Sequence, residues 1–299
     1  MNVGLIGLGA MGRGMAASLR RAGHDVHVFD VRADAVRDFV ANGGVAHQSP
    51  ASVAVACEIV ISVVVNAEQT ESLLFGEGGA AGSMRRGSVF VMCSTVDPNW
   101  SIALEKRLEA LGLLYLDAPI SGGAAKAASG QMTMMTSGRP EAYAKCGAVL
   151  EAMAAHVYRL GDRAGPGSTV KIVNQLLAGV HIAAAAEAMA LGIRAGADPA
   201  AVYDVITHSA GNSWMFENRM AHVLSGDYTP LSAVDIFVKD LGIVLDTARA
   251  SKFPLPLAAT AHQMFMQASS AGHGKEDDAA VIKIFPGIDL PSAKGAGDR

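Results

Sequence analysis

Short apolar runs alternate with amphipathic stretches through the first half of the chain. Residues 3–7, 26–30, 59–65, 88–92, 114–117, 132–137 and 157–160 are short, rich in valine, isoleucine and leucine, and read as strands. Residues 11–22, 33–42 and 101–111 lie between them with helical spacing of their apolar positions. Strands that are almost wholly apolar and separated by helices predict a mostly parallel, doubly wound α/β sheet covered on both faces. Beyond about residue 167 the strand pattern stops. Residues 168–195, 199–209, 233–250 and 256–270 follow one another as helical segments, which predicts an all-α second domain. The run Gly161-Asp162-Arg163-Ala164-Gly165-Pro166-Gly167 marks the junction, since glycine and proline punctuate and no helix is expected to run through them. The expected domains are 1–164 and 165–299, the second opening on a long helix, with a frayed polar tail over 292–299.

Composition narrows the classes. Of 299 residues, 51% are hydrophobic and 17% charged, enough apolar material to offset the entropy of ordering, so a disordered chain is excluded. The formal net charge is -4, with no basic block, which argues against a nucleic acid or an anionic membrane as partner. Three cysteines, Cys57, Cys93 and Cys146, share no metal-ligand or redox spacing and fit a reduced, cytoplasmic setting. The apolar first nineteen residues lack a basic leader and are broken by glycines, unlike a secretory signal. No stretch is expected to cross a bilayer; the alanine-rich 176–191 carries His181 and Glu187 and reads as a buried helix. The nine histidines form no metal-binding motif, and Glu276-Asp277-Asp278 reads as a solvated acidic run, so no metal site is expected. The methionine-rich 132–136 reads as a buried strand.

The chemistry begins at Gly7-Leu8-Gly9-Ala10-Met11-Gly12, between the first strand and the first helix. In a dinucleotide-binding (Rossmann) domain one such glycine permits the turn, one lets the pyrophosphate approach the backbone, and one lets helix and strand pack closely. The helix N-terminus then offers N–H groups and partial positive charge to the phosphates. The second strand ends in Asp30, which can accept hydrogen bonds from the adenine-ribose hydroxyls and repel a 2′-phosphate. NAD is therefore expected ahead of NADP, although Arg32 stands near enough to embrace a 2′-phosphate.

Four motifs together, Gly7-Leu8-Gly9-Ala10-Met11-Gly12 with Met15-Ala16, Asp117-Ala118-Pro119-Ile120-Ser121-Gly122-Gly123, Gly165-Pro166-Gly167-Ser168-Thr169-Val170-Lys171-Ile172-Val173-Asn174 and Lys239-Asp240-Leu241, resemble those of the β-hydroxyacid dehydrogenase family. That family includes 3-hydroxyisobutyrate dehydrogenase and tartronate semialdehyde reductase. The one small departure is Ile120, where the family commonly has valine. Residues 211–220, 274–278, 175–182 and 232–240 further resemble a branch that oxidises a four-carbon sugar acid at C2.

The resemblance implies an NAD-dependent oxidation of a small hydroxy acid where the two domains meet, with the helical domains forming a homodimer or homotetramer. It assigns Lys171 as the general base, with Asn174 one helical turn on and sharing its face. An exposed lysine is a poor base near neutrality; burial and the positive nicotinamide ring would both favour its neutral form. Ser121, Gly122 and Gly123 follow a strand ending at Asp117 and suit a substrate carboxylate. For the cofactor the resemblance implies Thr95, beside Ser94, at the nicotinamide ribose, Val64 and Val65 as an apolar wall, and Lys239 from the second domain. Lys239 and Asp240, adjacent in sequence, would not share a helix face. Asn212, Ser213 and Trp214 are weaker candidates for substrate specificity; as plain structure they would be a helix cap and a core aromatic.

Overall fold

The computed structural model describes residues 1–292, so the tail expected over 292–299 lies almost entirely outside the described residues. The chain divides into two compact units, Met1–Lys171 and Ile172–Arg299.

In the first unit the order is β1 (Asn2–Ile6), α1 (Ala10–Arg21), β2 (Asp25–Phe29), α2 (Ala33–Val40), β3 (Val45–Ala46), α3 (Pro50–Ala56), β4 (Ile59–Ser62), α4 (Ala67–Phe75), β5 (Val89–Met92), α5 (Pro98–Ala110) and β6 (Leu114–Asp117). There follow β7 (Ile120–Ser121), α6 (Gly123–Ser129), β8 (Met132–Gly138), α7 (Pro140–Met153), β9 (Ala154–Arg159) and α8 (Pro166–Arg194), a 29-residue helix within which the division of units falls.

The strand order is β3-β2-β1-β4-β5-β6-β8-β7, with β9 paired to β8. The first six strands are all parallel, in the order 3-2-1-4-5-6 typical of dinucleotide-binding sheets. β8 runs antiparallel to β6 and β7, and β9 runs parallel to β8, so the sheet is mostly parallel.

Alternation along these strands explains why both faces are apolar. Val3, Leu5, Ile59, Ile61, Val89 and Val91 point into a core shared with Met15 and Leu19 of α1 and Val149 and Met153 of α7. Ile6, Val60, Phe90 and Met92 point into another, shared with Val53 of α3, Leu73 and Leu74 of α4, and Leu104 and Leu108 of α5. The methionines of β8 are buried strand residues.

The second unit is helical: the remainder of α8, α9 (Pro199–Thr207), α10 (Trp214–Ser225), α11 (Val234–Ala250), α12 (Pro256–Ala268), a π-helical turn Ser269–His273 and a 3-10 helix Asp278–Ile284. Its core gathers Ile182 and Met189 of α8, Phe216 and Met220 of α10, Phe237 and Leu241 of α11, and Phe265 of α12, with Phe237 and Phe265 stacked at 5.1 Å. The 3-10 helix contributes Val281 and Ile282 to the same core.

Several expectations change. α8 takes in Pro166 and Gly167, because proline is tolerated in a helix's first turn, where its missing N–H has no intrahelical partner to lose. By length and composition alone α8 is apolar enough to cross a membrane, with a mean hydropathy of 1.8 over its most apolar 18 residues, contrary to the expectation that no stretch would be. Of that stretch 44% is buried inside the protein. Asp277 and Asp278 are not solvated but fully buried. Asp278 pairs with Arg219, and Asp277 accepts from the N–H groups of Leu231 (3.0 Å) and Ala279 (3.1 Å) and lies 3.0 Å from Nδ1 of His222. Trp214 is no core aromatic; it is 55% exposed at the start of α10, where Ser213 caps the helix by accepting from Phe216 N–H at 3.0 Å. Asn212 donates to the Thr207 carbonyl at 3.2 Å.

Candidate active site

The sheet brings the glycine turn, Asp30, Val64 and Thr95 to one edge. β1, β2, β4 and β5 are parallel and in register, so the residues that follow them all emerge at the carboxyl ends, where open α/β sheets bind ligands. The reversal of strand order lies between β1 and β4, between the glycine turn and Val63-Val64-Val65.

Gly7 has φ +101°, and a Cβ there would sit 2.3 Å from the Val63 carbonyl oxygen. A Cβ at Gly12 would sit 1.9 Å from the Gly7 carbonyl oxygen, so helix and turn touch backbone to backbone. At Gly9, the N-cap of α1, a Cβ would meet nothing within 4 Å and φ is an ordinary -64°. The protein's own packing therefore does not demand glycine at 9; a ligand approaching the backbone would. A pyrophosphate could approach the backbone at Gly9 without meeting a side chain, and the residues present fit a dinucleotide.

Asp30 is fixed from both sides. Its Oδ2 accepts from Leu8 N–H at 2.6 Å, and its Oδ1 accepts from the Arg32 N–H at 2.8 Å and Nε at 3.4 Å. Arg32 folds back to donate to the Leu8 carbonyl at 3.1 Å. The carboxylate is thus tied to the glycine turn, and of its roughly four lone-pair sites three are taken, which leaves one on Oδ2 for a sugar hydroxyl. Ser94 donates to the Val64 carbonyl at 2.7 Å, tying the segment after β5 to the segment after β4, next to Thr95; Val65 is exposed.

Ser121 closes β7, and Gly122 (φ +135°) and Gly123 (φ +76°) open α6 in conformations that other residues adopt only under strain. Lys171 stands in the second turn of α8 and is buried. Asp117, which the sequence placed in a motif but gave no role, anchors that helix. It accepts from Gly165 N–H (3.0 Å), Ser168 N–H (2.9 Å) and Ser168 Oγ (2.7 Å). Burial pushes its carboxyl upward, while the bonds from Ser168, Gly165 and Ser137 pull it down; burial prevails. Cys93, buried nearby, is raised by burial and by Asp117, and burial pushes Cys57 and Cys146 up to about 12, so none of the three thiols is a ready nucleophile.

In the second unit a chain of polar side chains joins α8 to α11. Asn174 donates to Gln175 Oε1 at 2.9 Å, and Gln175 donates to Asp240 Oδ2 at 2.5 Å. Lys239 Nζ lies 2.7 Å from Asp240 Oδ1. Although adjacent residues point to different sides of a helix, the long lysine stem bends back to its neighbour. Sequence spacing missed Gln175 and Asp240, which lie more than sixty residues apart in the chain. Among the described residues no group of three or more His, Cys, Asp or Glu side chains is placed to hold a metal ion.

Two family models match the chain in succession. The family described as the NAD binding domain of 6-phosphogluconate dehydrogenase matches residues 2–161, and that described as the NAD-binding of NADP-dependent 3-hydroxyisobutyrate dehydrogenase matches residues 165–285. L-threonate dehydrogenase of Cupriavidus necator is 66% identical over 97% of this chain and 98% of its own length. L-threonate dehydrogenase of Escherichia coli K12 is 54% identical over 98% of this chain and 97% of its own. The crystal structure of 3-hydroxyisobutyrate dehydrogenase from Salmonella typhimurium, 54% identical, superposes with a TM-score of 0.91 and covers 95% of this chain and all of that one. With both units matched by nucleotide-binding family models and relatives matched over nearly its whole length, the chain belongs to the 3-hydroxyisobutyrate dehydrogenase-related family of NAD-dependent hydroxyacid dehydrogenases.

Proposed function

We propose that the enzyme oxidises L-threonate at its C2 hydroxyl, giving 2-dehydro-L-erythronate (2-oxotetronate). The observation that carries this choice of substrate is the identity of 66%, over nearly the full length of both chains, with an L-threonate dehydrogenase. NAD, when bound, supplies the hydride acceptor. The chain's own residues do the rest. The Ser121 hydroxyl and the Gly122-Gly123 backbone hold the substrate carboxylate. Lys171 takes the hydroxyl proton on Nζ as the C2 hydride leaves. Lys171 is buried, so bulk water does not compete with the hydroxyl for Nζ.

Asn174 holds the geometry, and its orientation follows from donors and acceptors. Asp240, paired with Lys239, only accepts, so Gln175 turns its NH2 group to Asp240 and its carbonyl to Asn174. Asn174 must then spend an N–H on Gln175, which leaves its carbonyl oxygen free of that bond and able to accept from the reacting hydroxyl or the lysine. Gly7, Leu8, Gly9, Ala10, Met11 and Gly12 cradle the pyrophosphate, Asp30 the adenine ribose, and Val64, Val65, Thr95 and Lys239 the nicotinamide half.

We further place the enzyme in the cytoplasm, as a homodimer or homotetramer. Its three cysteines are free and buried, and Val173, Leu177 and Leu191 of α8 stand exposed, an apolar stripe suited to a second copy of the chain. Light scattering across a dilution series would read the assembly, and a monomer throughout would refute it. A second reading, oxidation of 3-hydroxyisobutyrate, is favoured by the name and the 0.91 TM-score of the Salmonella structure. NADH formation measured with a panel of three- and four-carbon hydroxy acids, each with NAD and NADP, separates the two. The proposal expects the highest kcat/KM with L-threonate and NAD; preference for 3-hydroxyisobutyrate would replace it.

A further inference from the structure

We infer that Asp117 is a positioning residue for the reaction: its carboxylate bolts the first turn of α8 to the ends of β6 and β8, and so fixes the Lys171 amine relative to the Ser121-Gly122-Gly123 turn. The inference rests on the roles proposed for Lys171 and for that turn.

A helix leaves its first N–H groups without intrahelical partners, and where those groups go decides where the helix starts. Here each is accounted for. Pro166 has none. Gly167 N–H goes to Ser137 Oγ at 2.9 Å, and Ser137 in turn donates to Asp117 Oδ2 at 3.3 Å. Ser168 N–H and, ahead of the helix, Gly165 N–H go to Asp117 Oδ2, while the Ser168 hydroxyl goes to Oδ1. Thr169 N–H makes the first helical bond, to the Gly165 carbonyl at 2.8 Å. The helix also touches the strands directly: a Cβ on Gly167 would sit 2.7 Å from the Met135 carbonyl oxygen and 2.9 Å from that of Asp117.

A local serine or asparagine would suffice to cap a helix. Instead the cap comes from a fully buried carboxylate some fifty residues earlier, at a desolvation cost that raises its proton affinity. Its position suggests why. Asp117 ends β6, and Ser121 follows four residues later; Lys171 follows Ser168 by three residues, on the same face of the helix. One side chain therefore refers the proton acceptor and the carboxylate turn to a common frame.

The test is a cycle of activity measurements on the full-length enzyme with Asp117→Ala, Asp117→Asn, Lys171→Ala and Asp117→Ala/Lys171→Ala, with NADH affinity titrated by fluorescence. Asp117→Ala is expected to lower kcat by about 10- to 100-fold, the scale of a mispositioned reacting group, while the Kd for NADH changes less than about twofold. Asp117→Asn should restore most of that, because its carbonyl can take the three donors at Oδ2 and its NH2 can face the Ser168 hydroxyl, which can accept. In the Lys171→Ala background, assayed at high enzyme concentration, Asp117→Ala should cost almost nothing more, since residues acting as a unit are not additive. A folded Asp117→Ala enzyme with kcat within about twofold of the parent overturns the inference, as does a full additional loss on top of Lys171→Ala. Should Asp117→Ala not fold, Ser168→Ala, which removes one of the bonds, replaces it in the cycle and is read by the same criteria. Near-normal turnover of Lys171→Ala alone would instead sink the base assignment, an outcome distinct from either.

Discussion

Gly9→Ala isolates the cofactor's demand on the chain from the fold's own. At Gly9 the backbone is in a region open to any residue, and a methyl group would have 4 Å of clear space around it. Alanine there should leave folding untouched, with urea midpoint and melting temperature unchanged. The same methyl would occupy the space through which a pyrophosphate reaches the N–H groups of α1. An unaccommodated methyl in a close-packed contact costs about 1–3 kcal/mol, which corresponds to roughly a 5- to 150-fold rise in the Kd for NADH. Gly12→Ala is the contrast. Its Cβ would lie 1.9 Å from a carbonyl oxygen, so the turn and α1 must separate, and both stability and binding should fall. Fluorescence titration with NADH, alongside thermal melts of both variants, reads the two effects separately. If Gly9→Ala binds NADH as tightly as the parent, the glycine turn does not cradle the pyrophosphate and the placement of the cofactor is wrong.

Three further outcomes are expected. Lys171→Ala should lower turnover by at least about 10²-fold, the scale for losing a general acid–base group, while NADH still binds; near-normal steady-state rates would remove its assigned role. Asp30→Asn keeps an acceptor for Leu8 N–H but loses the charge that opposes a 2′-phosphate, so the ratio of NADP to NAD efficiency should rise at least about tenfold, or 1.4 kcal/mol, and an unchanged ratio would show that Asp30 does not meet the ribose. Burial pushes the Asp278 carboxyl up to about 6 from 3.8, despite Arg219 drawing it down, so the folded state holds a proton that the unfolded state releases. Asp278 therefore favours the fold below about pH 4 and loses that contribution as pH rises through about 6; relative to the parent, Asp278→Asn should gain stability between those values in urea denaturation, and parallel profiles would contradict this.

The strands of the sheet centre were legible because burial on both faces makes each a nearly unbroken apolar run; β4 and β5 are buried at every position. β3 and β7, two residues each, are too short to carry a period. The start of α5 was set three residues late, although Asp97-Pro98 marks it, with Asp97 Oδ1 accepting from Asn99 N–H at 2.7 Å. The same kind of signal, Ser49-Pro50, announces α3, where Ser49 and Ser52 form a capping box. The glycine turn and Asp30 stand out in the sequence because each sits at the end of a strand that is itself legible, and the structure joins them through Leu8 N–H and Asp30 Oδ2. Asp117, Gln175 and Asp240 do not, because each acts on a partner far along the chain, and no periodicity records such a pairing. The acidic run 276–278 was misread for the same reason: Arg219, which neutralises Asp278, lies fifty-nine residues earlier.

The most direct test of the whole account is NADH production by the purified enzyme given L-threonate and NAD, with the product identified by mass spectrometry. The account predicts stoichiometric NADH and a four-carbon 2-keto acid, formed more efficiently with NAD than with NADP. No turnover of L-threonate under conditions where 3-hydroxyisobutyrate is oxidised would contradict the substrate, and a product oxidised at C3 would contradict the proposed oxidation at C2.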